Sequence, residues 1–483
     1  MPFPYKSKKR GEVWNFGENV RFKPAEIYRP ANEDELLQIL ARSRGRKIRV
    51  MGRLHSWSAA VETPDVLLDL RDFDSVEVIE QAGAKFARVG AGTQVKRIVS
   101  ELRRLGDRTL PSLGLIDEQS IAGAIATGTH GSGRNSLSHY VRAMRVVQFD
   151  GEGKPYVRTI DSGEELLAAR CSLGCMGIVV SVDLEIRPQY LIEEHFRQHK
   201  TLDEVIACEQ EYPLQQFYQI PWKWNFIGQH RREVTGPEAS KRYSRLFGWY
   251  FHLIFDIGMH LIILSALICR FRSLIKFLFR NIIPLFVIRN WRVIDRSERI
   301  LTMQHEMFRH IEIEMFVRRS HLEGMLEWVQ KLLQIASGEQ DIDTSRFDEQ
   351  LGVAGFQGEV DSLQGKYTHH YPICIRKVLP DETLISMTAG WDEPGYAVSL
   401  ICYLHPHARD GFFQFARLLA RSSIRMFGAR AHWGKFNDIV ADELLENYGN
   451  WARFAEQVGK ADPTGVFHND WAENLLGKKD PGE

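Results

Sequence analysis

The chain is poor in cysteine. Its 483 residues include six cysteines, and none of them forms a Cys-x-x-Cys pair or a Cys/His spacing typical of metal sites. So few cysteines in so long a chain do not provide a disulfide framework. We therefore expect a reducing, cytoplasmic compartment, no disulfide scaffold and no metal site.

Net charge is also lacking, since 62 Lys and Arg balance 62 Asp and Glu. Without a global positive field, nucleic-acid binding is not expected, and any basic surface must be local. The basic N-terminus, residues 1–17, is not followed by an apolar stretch or a small-residue cleavage site. This segment is therefore not expected to be a secretory signal.

Two common nucleotide-binding motifs are missing. Residues 90–95 have valine where the Rossmann fingerprint has its third glycine, and no Walker loop occurs. The chain has instead three glycine-punctuated segments, at 50–56, 89–93 and 122–133. Glycine lets peptide N–H groups form a concave nest for a pyrophosphate, while Ser and Thr hydroxyls bind the remaining oxygens. These segments predict a large anionic cofactor.

The pattern of apolar residues predicts strands and helices in both halves of the chain. Strands are expected at 24–28, 47–50, 66–70, 86–89, 178–184, 384–387 and 396–401, and helices at 32–41, 94–105, 322–335 and 411–426. The length predicts two domains. The first, residues 1–188, is a nucleotide-binding domain, and the second, residues 189–483, is a substrate-covering cap.

Two motifs about three hundred residues apart resemble those of a known family. The first is His55-Ser56 with the turn Ala126-Thr127-Gly128-Thr129-His130-Gly131-Ser132-Gly133, and the second is His432-Trp433-Gly434-Lys435. Together they resemble the sugar-lactone and alditol oxidase branch of the vanillyl-alcohol oxidase superfamily. The resemblance implies an α+β fold, with a two-part FAD-binding domain and an α+β cap domain that contains a large antiparallel sheet. Residues 426–476 would be the lactone-oxidase-like C-terminal segment.

The resemblance also implies which residues bind FAD. In this branch a histidine is bonded covalently to the flavin, and that position is His55 here. The glycine that usually precedes it is replaced by Leu54. The expected FAD-binding residues are Gly52, Arg53, Leu54, His55, Ser56, Gly114, Ser120, Gly123, Thr127, Gly128, His130, Gly131, Gly174, Gly177 and Ile178.

Three residues are expected to serve catalysis. Lys435 of the C-terminal signature would stabilise the negative charge that develops near flavin N1 and the C2 carbonyl on reduction. His432 lies in the same signature. Arg376 lies in a strand-like segment, 372–378, which looks like the family's inward strand with a Glu-x-Arg pair.

The glutamate of that pair is absent, because Cys374 stands in its place. Residues two apart in a strand share a face, so Cys374 and Arg376 point the same way. Cysteine does not replace a carboxylate as acceptor for a sugar hydroxyl. Glu312 and Glu314 are possible substitutes, and structural roles for them are equally open.

The resemblance implies oxidation of a secondary alcohol of a sugar lactone or polyol, with hydride transfer to flavin N5. Gly114 corresponds to a position beside the reactive edge of the flavin, where a small residue leaves room for dioxygen. We therefore expect O2 as acceptor and H2O2 as product. Two alternatives remain open: a membrane-surface dehydrogenase that reduces a quinone or haem protein, and a flavin-bearing scaffold without turnover.

Residues 246–296 form an apolar and basic insert. Residues 246–269 contain no Lys or Arg and are long enough to cross a bilayer, but His252, Asp256 and His260 disfavour spanning. The part from 270 to 296 has seven basic residues against one acid, interleaved with Phe, Leu and Ile. This composition is typical of a helix in the bilayer interface. We expect peripheral membrane association; a packed helical hairpin or an oligomer interface is the alternative.

Overall fold

The first part of the FAD-binding domain is a small parallel sheet. The computed structural model describes residues 11–81, 83–235, 241–269, 271–303, 309–437, 439 and 441–477. The sheet orders its strands Glu26–Tyr28, Val66–Asp69 and Ile48–Met51. Helix Glu33–Arg42 begins after Asn32, whose side chain accepts from the Glu35 N–H. The first glycine segment, residues 50–56, begins in strand Ile48–Met51 and continues into the loop that follows it.

The second part is a five-stranded antiparallel sheet. Its order is Pro155–Ile160, Val141–Phe149, Ile178–Glu185, Ala84–Gly90 and Val76–Gln81. Helices Val95–Gly106, Ile121–Ala126 and Gly163–Ala169 accompany it. Apolar faces of these helices and of the sheet form one buried core. Both parts together present the glycine segments to a common cavity.

The cap domain is built on an eight-stranded antiparallel sheet. Its order is Val293–Arg296, Leu191–His199, Phe226–Val234, Gln216–Gln219, Ile373–Val378, Gly395–Tyr403, His310–Arg318 and Arg430–Ala431. Helices Leu322–Ala336 and Pro406–Phe427 contact each other and bury their apolar sides in the cap core. The expected α+β fold with a large antiparallel cap sheet is confirmed.

The insert is a helical hairpin packed on this sheet. Its first arm runs through Lys241–Phe251, His252–Met259 and His260–Ile268, and its second through Arg272–Phe277, Leu278–Ile282 and Ile283–Phe286. Phe251 stacks on Phe196 of the sheet, and Phe279 is fully buried. By length and composition Ser244–Ile268 is apolar enough to cross a membrane, and 31% of its apolar window is buried in the protein.

One expected strand is wrong. Residues 384–387 form a compact turn, because the Asp381 carboxylate gathers local donors. Its Oδ1 accepts from the Thr383 N–H and hydroxyl and from the Ser386 hydroxyl, at 2.6–3.1 Å. A buried side chain that binds its own neighbours in this way competes with the ladder of a sheet. The other expected strands and helices are present within a few residues of their predicted bounds.

The C-terminal helices return to the FAD-binding domain. Helices Ala441–Asn447, Trp451–Ala461 and Asp470–Leu475 follow the cap sheet. Arg49, in the strand before the first glycine segment, donates to Phe467 O at 2.6 Å. Described residues of the C-terminal segment therefore contact the part of the chain before residue 188, and the domain boundary expected there stays a prediction. The basic residues 6–10 lie outside the described residues.

Candidate active site

A cavity of about 280 Å³ lies between the glycine segments and the cap sheet. The first glycine segment lines it with all seven of its residues, 50–56. A Cβ at Gly52 would come within 2.2 Å of Ser120 Oγ, so the two loops approach closely only because residue 52 is glycine. Among the residues that the structure describes, the N–H groups of Gly52, Arg53, Leu54 and Ser56 donate to no protein acceptor. Such a run of N–H groups suits a pyrophosphate.

Leu54 keeps the backbone conformation that a glycine would favour. Its φ is +57°, in the left-handed region, and its side chain is buried. Leu54 therefore holds, with local strain, a backbone conformation that glycine adopts without a steric penalty. His55 follows at the cavity wall and stacks on Phe16 with 5.1 Å between ring centroids. Burial lowers the pKa of His55 to about 4, so the imidazole is neutral and nucleophilic at neutral pH.

The two sequence motifs meet beside this loop. Gly434 O accepts from the Trp57 N–H at 2.9 Å and from the Ser56 hydroxyl at 3.3 Å. Lys435, next in the chain, lies 4.5 Å from the centroid of the Trp57 ring. The tertiary structure thus joins the histidine loop and the C-terminal signature into one wall of the cavity.

Seven more expected FAD-binding residues line the cavity: Ser120, Gly123, Thr127, His130, Gly174, Gly177 and Ile178. Gly177 has φ of +120°, and a Cβ there would meet Val147 O at 2.6 Å. Both facts require glycine at this position. Ile178, the next residue, begins strand Ile178–Glu185.

Three expected FAD-binding residues lie behind the wall and not in it. Gly114 is absent from the cavity lining, where Leu115 and Ile116 stand instead, and a Cβ at 114 would meet the Thr129 methyl at 2.6 Å. Gly128 packs on Met387, and Gly131 packs on Leu113 O. These three glycines allow segments to pack closely. The proposed place of Gly114 beside the flavin stays a prediction.

The cap sheet supplies the charged end of the cavity. Glu314 accepts from Arg376 at 2.8 Å, and both side chains are buried. Burial raises the pKa of Glu314, but Arg376 and His130 together hold it well below its usual range. Glu312 pairs with Lys435 and accepts from the Ser399 hydroxyl. The expected arginine and lysine are thus both present at the cavity, each with a glutamate partner.

Glu314 lies in the same row of the cap sheet as Cys374. Both are cross-strand partners of Ser399, so the three residues form one row across the sheet. Glu314 comes from strand His310–Arg318, two strands away from Cys374, and its role as the substitute carboxylate stays a prediction. Burial raises the pKa of Cys374 to about 11, so it remains a neutral thiol.

Two histidines flank Glu314. His130 Nε2 lies 3.5 Å from Glu314 Oε1, and His130 Nδ1 lies 3.0 Å from Gly131 O. A carbonyl only accepts, so Nδ1 is assigned as the donor to Gly131 O. His432 Nδ1 accepts from the Gly434 N–H at 3.0 Å, and burial lowers the pKa of His432 far below its usual value.

Much of the remaining cavity lining is apolar or aromatic. Sequence reasoning did not single out these lining residues, because aromatic and aliphatic residues are typical of any core. They are Trp57, Leu115, Ile116, Tyr218, Met303, Tyr371 and Ile401. No motif marks them, and the fold alone brings them to the cavity.

Two family models match the chain. The model of the FAD-binding domain matches residues 24–154, and that of D-arabinono-1,4-lactone oxidase matches residues 182–475. The chain belongs to the D-arabinono-1,4-lactone oxidase family. It is therefore an FAD-dependent oxidoreductase, and its resemblance to the sugar-lactone and alditol oxidases of the vanillyl-alcohol oxidase superfamily is confirmed. The free N–H groups of the first loop and the Gly52 contact fit the pyrophosphate of that cofactor.

Relatives within and around the lactone oxidase family differ in their named substrates. A long-chain alcohol oxidase of an uncultured marine euryarchaeote is 47% identical to this chain over 464 residues. The aligned region covers 96% of each protein. An L-gulono-1,4-lactone dehydrogenase of Mycobacterium tuberculosis is 27% identical over 476 residues, with 95% and 98% covered. The crystal structure of cholesterol oxidase from B. sterolicum has a TM-score of 0.73 at 16% identity, covering 98% and 99% of the two chains. The similarity to cholesterol oxidase shows a shared fold and no more.

Proposed function

We propose that this protein oxidises the carbinol carbon of a long-chain alcohol. The observation that carries the proposal is a buried carboxylate–guanidinium pair, Glu314 and Arg376, next to apolar and aromatic walls of the cavity. Among the described residues, Glu314 Oε2 and Arg376 Nε are buried and have no hydrogen-bond partner. One acceptor and one donor satisfy one hydroxyl group.

The walls of the cavity agree with an apolar substrate chain. Tyr218, Met303, Tyr371 and Ile401 line the cap end, and Cys374 is a neutral thiol where the family has a carboxylate. Each methylene buried against such a wall contributes about 0.8 kcal/mol. The relative of 47% identity, which is named a long-chain alcohol oxidase, supports the same substrate class.

The chain's own groups hold the alcohol and receive its proton. In the proposed complex Arg376 Nε donates to the alcohol oxygen, and Glu314 Oε2 accepts from its O–H. Because Arg376 keeps the pKa of Glu314 low, the carboxylate passes the proton on, and His130 Nε2 lies beside its other oxygen. FAD, when bound, would supply the acceptor for the hydride of the carbon, with O2 as the final electron acceptor and H2O2 as the product. Loss of the proton and the hydride leaves a carbonyl product.

A substrate panel tests the assignment. Under anaerobic conditions, bleaching of the flavin is followed with straight-chain alcohols of increasing length, sugar lactones and alditols. We expect kcat/KM to rise about fourfold for each added methylene, the factor that corresponds to about 0.8 kcal/mol. Bleaching by lactones and not by alcohols would refute the proposal and indicate a sugar substrate. Bleaching by none of these compounds would favour the scaffold alternative.

Variants test the roles of the charged groups. Glu314→Gln keeps the size of the side chain but loses the charge, and we expect flavin reduction to slow by roughly two powers of ten with FAD content unchanged. Glu339→Gln is the matched control, because Glu339 pairs with Lys276 of the insert. Oxygen uptake by purified protein separates an oxidase from the quinone-reducing alternative. Uptake much slower than quinone reduction would favour the dehydrogenase.

We also propose that the protein works at a membrane surface, from which an apolar alcohol would enter. Twelve of the sixteen exposed large apolar side chains of the described residues lie between 246 and 288. They are Leu246, Trp249, Leu253, Leu261, Ile262, Ile268, Phe271, Leu274, Phe277, Leu285, Phe286 and Ile288. A patch of this kind marks an interaction site. His260, on the same hairpin, contacts Tyr371 of the cavity wall, with 6.2 Å between ring centroids.

The basic residues of the insert should contribute less to membrane binding than their number predicts. Lys276, Arg292 and Arg296 form ion pairs with acidic residues of the protein. Arg272 and Arg280 donate to backbone carbonyls, and Arg289 donates to Gln198. Arg270 lies outside the described residues. Membrane binding would therefore depend mainly on the apolar patch, and salt should weaken it only slightly.

A further inference from the structure

A second cluster of chemically reactive side chains lies on the cap sheet, away from the flavin cavity. His199 ends strand Leu191–His199, His230 lies in strand Phe226–Val234, and Cys208 follows helix Leu202–Ala207. The two Nε2 atoms are 3.0 Å apart, and Cys208 Sγ lies within 4.8 Å of both. Three different elements thus point metal-binding atoms at one place.

The surroundings orient one histidine as a ligand. Gln215 Nε2 donates to Val205 O at 2.8 Å, which fixes the amide so that its oxygen faces His230. That oxygen lies 2.7 Å from His230 Nδ1. Since an amide oxygen only accepts, the proton of the neutral ring is assigned to Nδ1, and the Nε2 lone pair faces His199. Such a second-shell hydrogen bond is the usual means of orienting a metal-bound histidine.

A glycine leaves space for the two histidine rings. A Cβ at Gly228 would come within 2.7 Å of His230 Nε2 and 3.2 Å of His199 Nε2, so any other residue at this position would displace the rings.

We propose that His199, Cys208 and His230 bind one Zn²⁺ ion. Zinc favours tetrahedral coordination by imidazole nitrogen and thiolate sulfur, and these three ligands leave one position for water. His199 and Cys208 are partly exposed, so water reaches that position. When the ion binds, Cys208 releases its thiol proton to solvent and its thiolate becomes the third ligand.

The ion would clamp helix Leu202–Ala207 to two strands of the sheet. It would act apart from the chemistry of the flavin cavity. Gln229, the neighbour of His230 in the strand, points to the other face of the sheet, and its Oε1 accepts from the hydroxyl of cavity-lining Tyr218 at 3.1 Å. The proposal therefore stands or falls independently of the substrate assignment.

Zinc titration tests the proposal with the full-length holoprotein. After treatment with a chelator, we expect wild type to take up one equivalent of Zn²⁺ and to melt at a higher temperature with zinc than with chelator. Cys208→Ser and His199→Ala should bind at least tenfold more weakly and show no zinc-dependent melting shift. Cys269→Ser is the matched control, because Cys269 is an exposed cysteine outside the cluster, and it should behave as wild type.

Cobalt gives a readout that a purely structural role would not change. Co²⁺ bound to wild type should show a thiolate-to-metal charge-transfer band, which Cys208→Ser loses and Cys269→Ser keeps. Equal melting of wild type and Cys208→Ser in chelator establishes that the variant is folded. No zinc uptake by wild type, or equal uptake by Cys208→Ser, would overturn the proposal and leave a hydrogen-bonded histidine pair.

Discussion

The apolar patch of the insert provides the sharpest prediction, because its members are exposed and can be changed without disturbing the core. We consider the triple variant Trp249→Ser, Phe271→Ser, Leu285→Ser. These side chains are 69%, 59% and 74% exposed. Full burial of a large apolar side chain is worth about 1.5–3 kcal/mol. With more than half of each surface available to lipid, the triple change should remove about 4 kcal/mol of membrane binding.

A loss of about 4 kcal/mol lowers the partition coefficient by roughly three powers of ten. The assay is co-sedimentation with liposomes of neutral and of anionic lipid. Wild type should bind both and should persist at high salt, because the described basic residues of the insert contact protein acceptors. The matched control is Leu105→Ser, Tyr156→Ser, Leu445→Ser, which removes three exposed apolar side chains outside the insert.

Two results would refute this reasoning. Wild type that stays in the supernatant with both lipids would show that the patch does not bind membranes. A triple variant that binds as wild type does would show that another surface is responsible. A lower oligomeric state of the triple variant would then identify the patch as an interface between copies of the chain. Replacement of the entire insert is a poor test, since it would remove buried Phe279 and the edge strand Val293–Arg296.

Three further predictions concern single residues. Acid-precipitated wild type should remain yellow and His55→Ala should release its FAD, whereas complete loss of colour from wild type would contradict a covalent bond. Lys435→Met should slow flavin reduction by roughly two to three powers of ten in stopped-flow experiments, and a change below threefold would remove it from the site. Burial lowers the pKa of His370 to about 4, so the free energy of unfolding should fall by up to about 3 kcal/mol as pH drops from 6.5 to 4. Thermal midpoints at several pH values measure this loss, and His370→Gln should show a shallower pH dependence.

The sequence alone predicted the structural elements that depend on residues close to one another in the chain. Glycines in the first loop, the Asn32 cap and the alternation of apolar residues act within a few positions, so they are visible in one chain. The same holds for His55 and Lys435, which stand in motifs. The strand expected at 384–387 failed for a local reason too, because Asp381 binds its own neighbours instead of leaving them to a sheet.

Only the tertiary structure decided which charges and ligands meet. Glu314 reaches Arg376 because strand order places Gly395–Tyr403 between their strands, and no spacing along the chain encodes that order. His199, Cys208 and His230 converge for the same reason, although their spacing matches no metal motif. Composition predicted an apolar and basic insert, but packing decided which of its apolar residues are buried and which are exposed, and which protein acceptors its described basic residues contact. Side-chain identity is local, whereas a neighbour across a sheet depends on how distant strands pair.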